Sequence, residues 1–272
     1  MVILPVSTGL IYATSYSLGL TGLMSQGFTT AYWGEALSSQ DVWSSFLYSL
    51  WVGIVSVFIA ACIALGLALG WQRSIQQGKL SYFIFLPLCY PATVMAFLVH
   101  QWFSPSGFFS RLFYNLGIID NLEAFPIVIR DYYGIGIILC SIFLITPFFT
   151  ILFSNIYKNE RINELENLSK TLGSSVNQIL RRVTLPILFN RSKTTLLLFV
   201  IFVMGSYEAP LILGRQNPQM ITVAIVNKIQ KFNLNDIPVG YAMSIIYVLI
   251  VIISLNFSGI LKTFQNRKIS NI

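Results

Sequence analysis

The sequence predicts an all-α integral membrane protein with six transmembrane helices, and three observations carry that prediction. Of 272 residues, 55% are hydrophobic and only 10% charged, where a soluble domain carries roughly a quarter charged residues; mean hydropathy is +0.72. Six apolar stretches approach or exceed the about 20 helical residues that a bilayer core of ~30 Å requires. The lysines and arginines sit in short connections between those stretches. A net charge of +7 in a soluble protein would point to nucleic acid. Here its placement is a topological signal, so lipid is expected as a partner and nucleic acid is not.

The expected spans are 2–20, 44–71, 80–103, 132–157, 193–214 and 237–262. The first is diluted by Ser7, Thr8, Thr14, Ser15 and Ser17. Its start, MVILPVSTGL, lacks a basic n-region, so it is expected as a retained span and not a cleaved signal. The remaining five carry almost no charge. Pro87, Pro91 and Pro147 fall inside long apolar runs, where proline marks a hinge or an ordinary kink. Cys62, Cys89 and Cys140 form no CxxC pair and are expected as small buried apolar residues, without a disulfide or metal site. No repeat or low-complexity tract divides the chain, and residues 1–272 form one membrane domain.

With the C-terminus in the cytoplasm, twelve of the seventeen Lys and Arg lie inside, Arg73 and Lys79 among them. Arg111, Arg130, Arg215, Lys228 and Lys231 lie outside. This is the positive-inside bias, and it places 158–192 in the cytoplasm. The outer connections, about 21–43, 104–131 and 215–236, exceed what hairpins need. The aromatic stretch in 104–131 is either membrane-surface packing or a gate and docking rim for an extracytoplasmic partner; the residues leave both open.

The connection 158–192 has the pattern of an ordered element. Leu165, Leu168, Leu172, Val176, Ile179, Leu180 and Val183 recur at steps of three and four, giving one apolar helical face. Gly173 stands where a left-handed residue would end a first short helix. Ser175 and Gln178 have capping-box spacing for a second. Glu164 and Glu166 fall in the first helix and Arg181 and Arg182 late in the second, complementing both helix dipoles. Leu185-Pro186 closes the loop, with Pro186 expected to break the helix before the fifth span. Amphipathicity alone would also suit a pair of helices lying flat on lipid; the glycine turn and fixed proline exit favour a rigid lever.

Leu172, Gly173 and Ser175, followed by the run from Arg181 to Pro186, carry a resemblance. The loop resembles the cytoplasmic coupling loop of binding-protein-dependent ABC importer permeases, whose pattern is approximately Glu-Ala-Ala-x-x-Leu-Gly-Ala-Ser, a helical stretch, then Arg-Arg-Val-Thr-Leu-Pro. Asn167, Leu168 and Ser169 replace the Glu-Ala-Ala, with Glu166 one residue earlier, and Asn190 and Arg191 replace a later Pro-Gly. The family's carboxylate contact with its motor is thereby displaced or absent. The resemblance implies a multi-pass subunit of the bacterial inner membrane. It further implies a second homologous permease subunit (or another copy), two ATPase subunits at the loop, and an extracytoplasmic solute-binding protein. Its ATPase-coupling set is Glu164, Glu166, Leu168, Leu172, Gly173, Ser175, Arg181, Arg182 and Pro186. ATP and Mg would be held by the partner ATPase and no cofactor by this chain. The stretch MGSYEAPLILG looks like the polyamine branch of the family.

Glu208 is the one carboxylate in a well-defined expected span, and an intramembrane ionisable residue marks a pathway by default. With Gly205 and Pro210 nearby the helix is expected to break there. Gly205, Ser206, Tyr207 and Glu208 are therefore the candidate solute path, against the alternative of an interfacial Glu capping a loosened helix end. The lone histidine, His100, reads as structural beside Trp102. No GxxxxGK[ST], HExxH or Ser/His/Asp set occurs, so no catalytic residue is assigned. The alternatives to an ATP-driven importer are an ion-gradient-driven secondary transporter, which should show more intramembrane carboxylates and inverted repeats, and a membrane enzyme.

Overall fold

The computed structural model describes residues 3–22, 25, 27–70, 82, 85–230 and 233–269, side chains at 3, 123 and 257–269 excepted. Arg73, Lys79, Lys231 and the junction of the second and third expected spans lie outside the described residues. The rest is helical, with no strand among the described residues. Four helices are long and apolar enough to cross a membrane: Gln40–Gly70, Ile135–Asn159, Val176–Met204 and Asp236–Asn256.

Two compact units share the chain, Met1–Ser49 with Pro218–Ile272, and Leu50–Asn217. In the first, α1 (Ile3–Ser17), α2 (Ala31–Ser38) and the start of α3 (Gln40–Gly70) accompany two C-terminal helices labelled below. The expected first span is realised as α1, only 15 residues long, and is not among the helices long enough to cross. The core joins Ala36, Val42, Ile221, Ala224, Val239, Ala242 and Met243. Small residues at these contacts let backbones approach, as expected where lipid supplies no hydrophobic drive between helices. Ser49 shows the polar counterpart: its hydroxyl donates to the Ser45 carbonyl and accepts the Ile221 N–H, both at 2.8 Å.

The second unit holds most of α3 and the elements α4 (Ala92–Phe103), α5 (Phe108–Asn115), α6 (Ile135–Asn159), α7 (Ile162–Thr171), α8 (Val176–Met204) and α9 (Glu208–Leu213). The chain returns to the first unit through α10 (Ile221–Gln230) and α11 (Asp236–Ile269). The expected third span is interrupted: a 3-10 turn, Leu86–Cys89, and extended Tyr90 precede α4. Pro91 explains the break, since it has no N–H to donate and disfavours the helical conformation of the residue before it. Helix α6 starts cleanly because the Asp131 carboxylate accepts the Tyr133 and Ile135 N–H groups at 2.9 and 2.7 Å, satisfying donors that a helix start leaves free. Phe149, fully buried on α6, stacks against Phe199 of α8 at 4.9 Å. Gly53 on α3 permits close approach to α8: a Cβ there would lie 3.1 Å from the Val200 carbonyl oxygen. Of the three cysteines only Cys140 is buried; Cys62 and Cys89 are exposed, against expectation. Cys62 lines an apolar groove of about 540 Å³ with Phe58, Leu65 and Phe189.

Candidate functional site

The polar loop between α6 and α8 is an ordered helix–turn–helix. Helix α7 ends at Gly173, whose φ of +83° is the left-handed value the sequence predicts. The Gly173 N–H donates to the Lys170 carbonyl at 2.9 Å and the Ser174 N–H to the Ser169 carbonyl at 3.1 Å, the paired bonds of a Schellman ending. Ser175 then caps α8 reciprocally: the Gln178 side chain accepts the Ser175 N–H at 3.0 Å.

Pro186 does not break this helix. The chain stays helical from Val176 through Met204, 29 residues, so the loop's second helix is the beginning of the long α8. The continuous helix has a local cause. A proline inside an α-helix clashes with the carbonyl four residues back, and here the preceding turn, Leu180–Thr184, widens to a π-helix in which the Leu185 N–H reaches the Leu180 carbonyl. The helix of the expected fifth span consequently begins earlier than residue 193 and stops at Met204 rather than 214.

The apolar face splits in two. Ile162 and Ile179 are buried within the loop, while Leu168, Leu172 and Val176 are 61%, 85% and 73% exposed. Glu164, Arg181, Arg182 and Pro186 are also exposed. Glu164 approaches Arg161 at 3.9 Å with both side chains largely in solvent, a pair that contributes little. Glu166 turns the other way. One carboxylate oxygen accepts the Tyr157 hydroxyl at 3.0 Å and the other the Thr184 hydroxyl at 2.6 Å, tying α7 to the end of α6 and to the π-turn. A second tie is bidentate: Arg191 of α8 donates Nε and a terminal nitrogen to the two oxygens of Glu160, at 2.9 and 3.1 Å. Sequence reasoning missed Tyr157, Thr184 and the Glu160–Arg191 pair, because nothing in spacing along the chain reports a partner on another helix.

The far end of α8 holds the second group of residues. The helix stops at Met204, Gly205–Tyr207 are non-helical, and the chain restarts as α9 at Glu208. Pro210 sits in the first turn of α9, where no N–H is needed, and it cannot serve a helix running through Ser206. Glu208 is exposed, and its carboxylate accepts the Thr93 hydroxyl at 2.6 Å. Thr93 opens α4 just after the Pro91 break, so two interrupted helices meet at this hydrogen bond. The backbone also joins α9 to the preceding loop, through Arg130 N–H to Leu213 carbonyl at 2.9 Å. Glu208's remaining oxygen has no protein donor among the described residues. His100, half-buried in the last turn of α4, takes no part. Among the described residues no group of three or more His, Cys, Asp or Glu could hold a metal ion.

Comparison with known proteins follows the same lines. The family model described as "Binding-protein-dependent transport system inner membrane component" matches residues 62–271. A Salmonella typhimurium permease protein assigned to 2-aminoethylphosphonate transport is 27% identical over 247 residues, covering 89% of this chain and 83% of that protein. A spermidine/putrescine transport system permease protein of the same species is 24% identical over 232 residues, covering 83% and 77%. Among solved structures, a bacterial ABC transporter involved in importing the acidic polysaccharide alginate aligns at a TM-score of 0.65 and 14% identity, over 96% of this chain and 93% of that one. The same kind of transporter bound to a periplasmic protein carrying an alginate pentasaccharide aligns at 0.64 and 15%, over 92% and 86%. At those identities the structures speak for the fold alone.

Proposed function

This chain belongs to the inner membrane components of binding-protein-dependent transport systems, and from that premise we propose that it is the permease subunit of an ATP-driven importer. It is a multi-pass transport subunit and not an enzyme. In the proposed arrangement six helical segments cross the bacterial inner membrane, with α1 as the first and the interrupted α4 region as the third. A second permease of the same kind completes the path. Two ATPase subunits, holding ATP and Mg, grip α7 and the Gly173 turn on the cytoplasmic side. A solute-binding protein would deliver solute at the opposite face; the alginate transporter is found in complex with a periplasmic protein carrying an alginate pentasaccharide.

The observation that carries this reading is the apolar set Leu168, Leu172 and Val176, held out in solvent around a turn that is fixed by the Schellman ending of α7 on one side and the capping box opening α8 on the other. An ordered apolar face rimmed by charge marks an interaction surface. Closure of the ATPases would move α7, and its ties to α6 and α8 would rotate the helices lining the path.

The solute is a small molecule with a primary ammonium group, a polyamine being one example. Glu208 offers a carboxylate oxygen without a protein donor among the described residues, beside the interrupted ends of α4 and α8. The substrates named for two relatives, 2-aminoethylphosphonate and spermidine/putrescine, share an aminoalkyl group. Purification with co-expressed ATPase tests the assembly: the ATPase should be retained by the intact chain and lost when residues 164–176 are replaced by a flexible Gly/Ser linker. Retention by the linker variant would overturn docking at this loop. Solute-stimulated ATP hydrolysis with putrescine but not with a neutral diol of equal length tests the ammonium.

A further inference from the structure

We propose that Glu166 is a positioning residue that latches the coupling helix α7 to the transmembrane helices, so that displacement of α7 is handed to α8 through Thr184. The proposal rests on the reading that α7 is the docked helix, and it assigns Glu166 a role inside the subunit instead of at the ATPase surface.

The two oxygens of one carboxylate hold donors from different elements: Tyr157 at the end of α6, at 3.0 Å, and Thr184 in the π-turn of α8, at 2.6 Å. Both donors are neutral hydroxyls on an ionised acceptor, the class of hydrogen bond roughly twice as strong as a neutral pair. Thr184 is fully buried and Tyr157 nearly so. Were Glu166 to swing out, two buried hydroxyls would lose their acceptor, a state penalised more than the bond itself is worth. The carboxylate is therefore engaged inward and not free for a partner, whereas Glu164, two residues earlier, faces solvent.

The alternative route for motion, along the chain through Gly173, is poorly built to transmit it. A Cβ at Gly173 would meet nothing within 4 Å, so the turn has no side-chain packing at its apex. The Glu160–Arg191 pair joins α6 to α8 but bypasses α7. Thr184 also sits where α8 is widest, in the turn that accommodates Pro186, and π-turns of this kind are recurrent sites of adjustment in helices. A pull on Thr184 acts on the part of α8 with the most freedom to rewind.

The test uses the full importer in vesicles, with ATPase and binding protein, reading ATP hydrolysed per solute imported and ATP hydrolysis without solute. Thr184→Val keeps side-chain volume and removes one donor; Glu166→Asp keeps the charge but is too short to reach both hydroxyls. Each is expected to raise the ATP-to-solute ratio roughly tenfold, with ATPase retained at unchanged stoichiometry. Tyr157→Phe, losing the longer bond, should do so less. The pair Glu166→Asp with Thr184→Val should be no worse than either alone, since both break the same joint. An unchanged ratio in assembled Glu166→Asp overturns the latch, and so does strict additivity of the double variant. If the unmodified importer is coupled but does not hold its ATPase through this loop, the docking reading fails as well, which distinguishes the two.

Discussion

The π-turn at Leu180–Thr184 and the break at Gly205–Tyr207 interrupt one helical run in opposite ways. Each lies near a proline, and each is bridged to a neighbouring helix by a glutamate accepting a threonine hydroxyl at 2.6 Å. At the first, Pro186 is absorbed by a wider turn and the helix continues. At the second, Gly205 and Pro210 flank a stop and the helix restarts in a new segment. The carboxylates differ accordingly. Glu166 is half-buried with both oxygens accepting from protein, whereas Glu208 is exposed and, among the described residues, only one of its oxygens has a protein donor. The more fully engaged carboxylate suits the proposed joint, and the less engaged one the proposed binding site.

The comparison can be broken most forcefully at the loop. Gly173→Pro cannot adopt the native φ of +83° and removes the N–H that bonds Lys170. An incompatible proline costs about 3 kcal/mol or more, so solute uptake should fall about a hundredfold while the protein remains membrane-inserted, measured by vesicle uptake and alkaline extraction. Leu168→Asp with Leu172→Asp should weaken ATPase retention roughly thirtyfold, since a buried interface anchor contributes about 2 kcal/mol; binding titration of the purified ATPase reads this directly. Glu208→Gln sharpens the other side of the contrast. It should lower uptake of an ammonium-bearing solute roughly tenfold, the scale of a charged hydrogen bond, without disturbing ATPase retention. An equal loss of ATPase retention would show the two regions are not separable. The smallest effect belongs to Arg191→Gln, which loses a partly exposed ion pair with Glu160 worth about 1 kcal/mol at most; thermal unfolding in detergent should shift by only a few degrees.

The sequence made some of this legible for reasons that are local. A left-handed glycine, a capping box spanning four residues and an apolar repeat are all encoded within a few residues of one another, and Gly173 and Ser175 appear where the spacing puts them. The stop near Gly205 was equally readable, because Gly and Pro act on their own backbone. Pro186 was misread for an instructive reason: its clash with a carbonyl can be relieved by ending the helix or by widening it, and the residue alone does not choose. Burial of the Thr184 hydroxyl under Glu166 favours the second. Thr93 was invisible because its partner lies 115 residues away. Hydropathy does not report where a helix stops, so it did not show that α1 ends at Ser17 within the expected 2–20, or that a 3-10 turn and extended Tyr90 precede α4 within the expected 80–103.

The outward stripe of Leu168, Leu172 and Val176 has a consequence for the life of the subunit before assembly. In the proposed assembly a newly inserted chain displays those side chains to water until the ATPase covers them. Such a surface is what proteases and chaperones recognise, so an orphan copy carries its own degradation signal, and its half-life in cells should lengthen several-fold when the ATPase is co-expressed. Subunit stoichiometry would then be enforced by concealment, with no dedicated regulator.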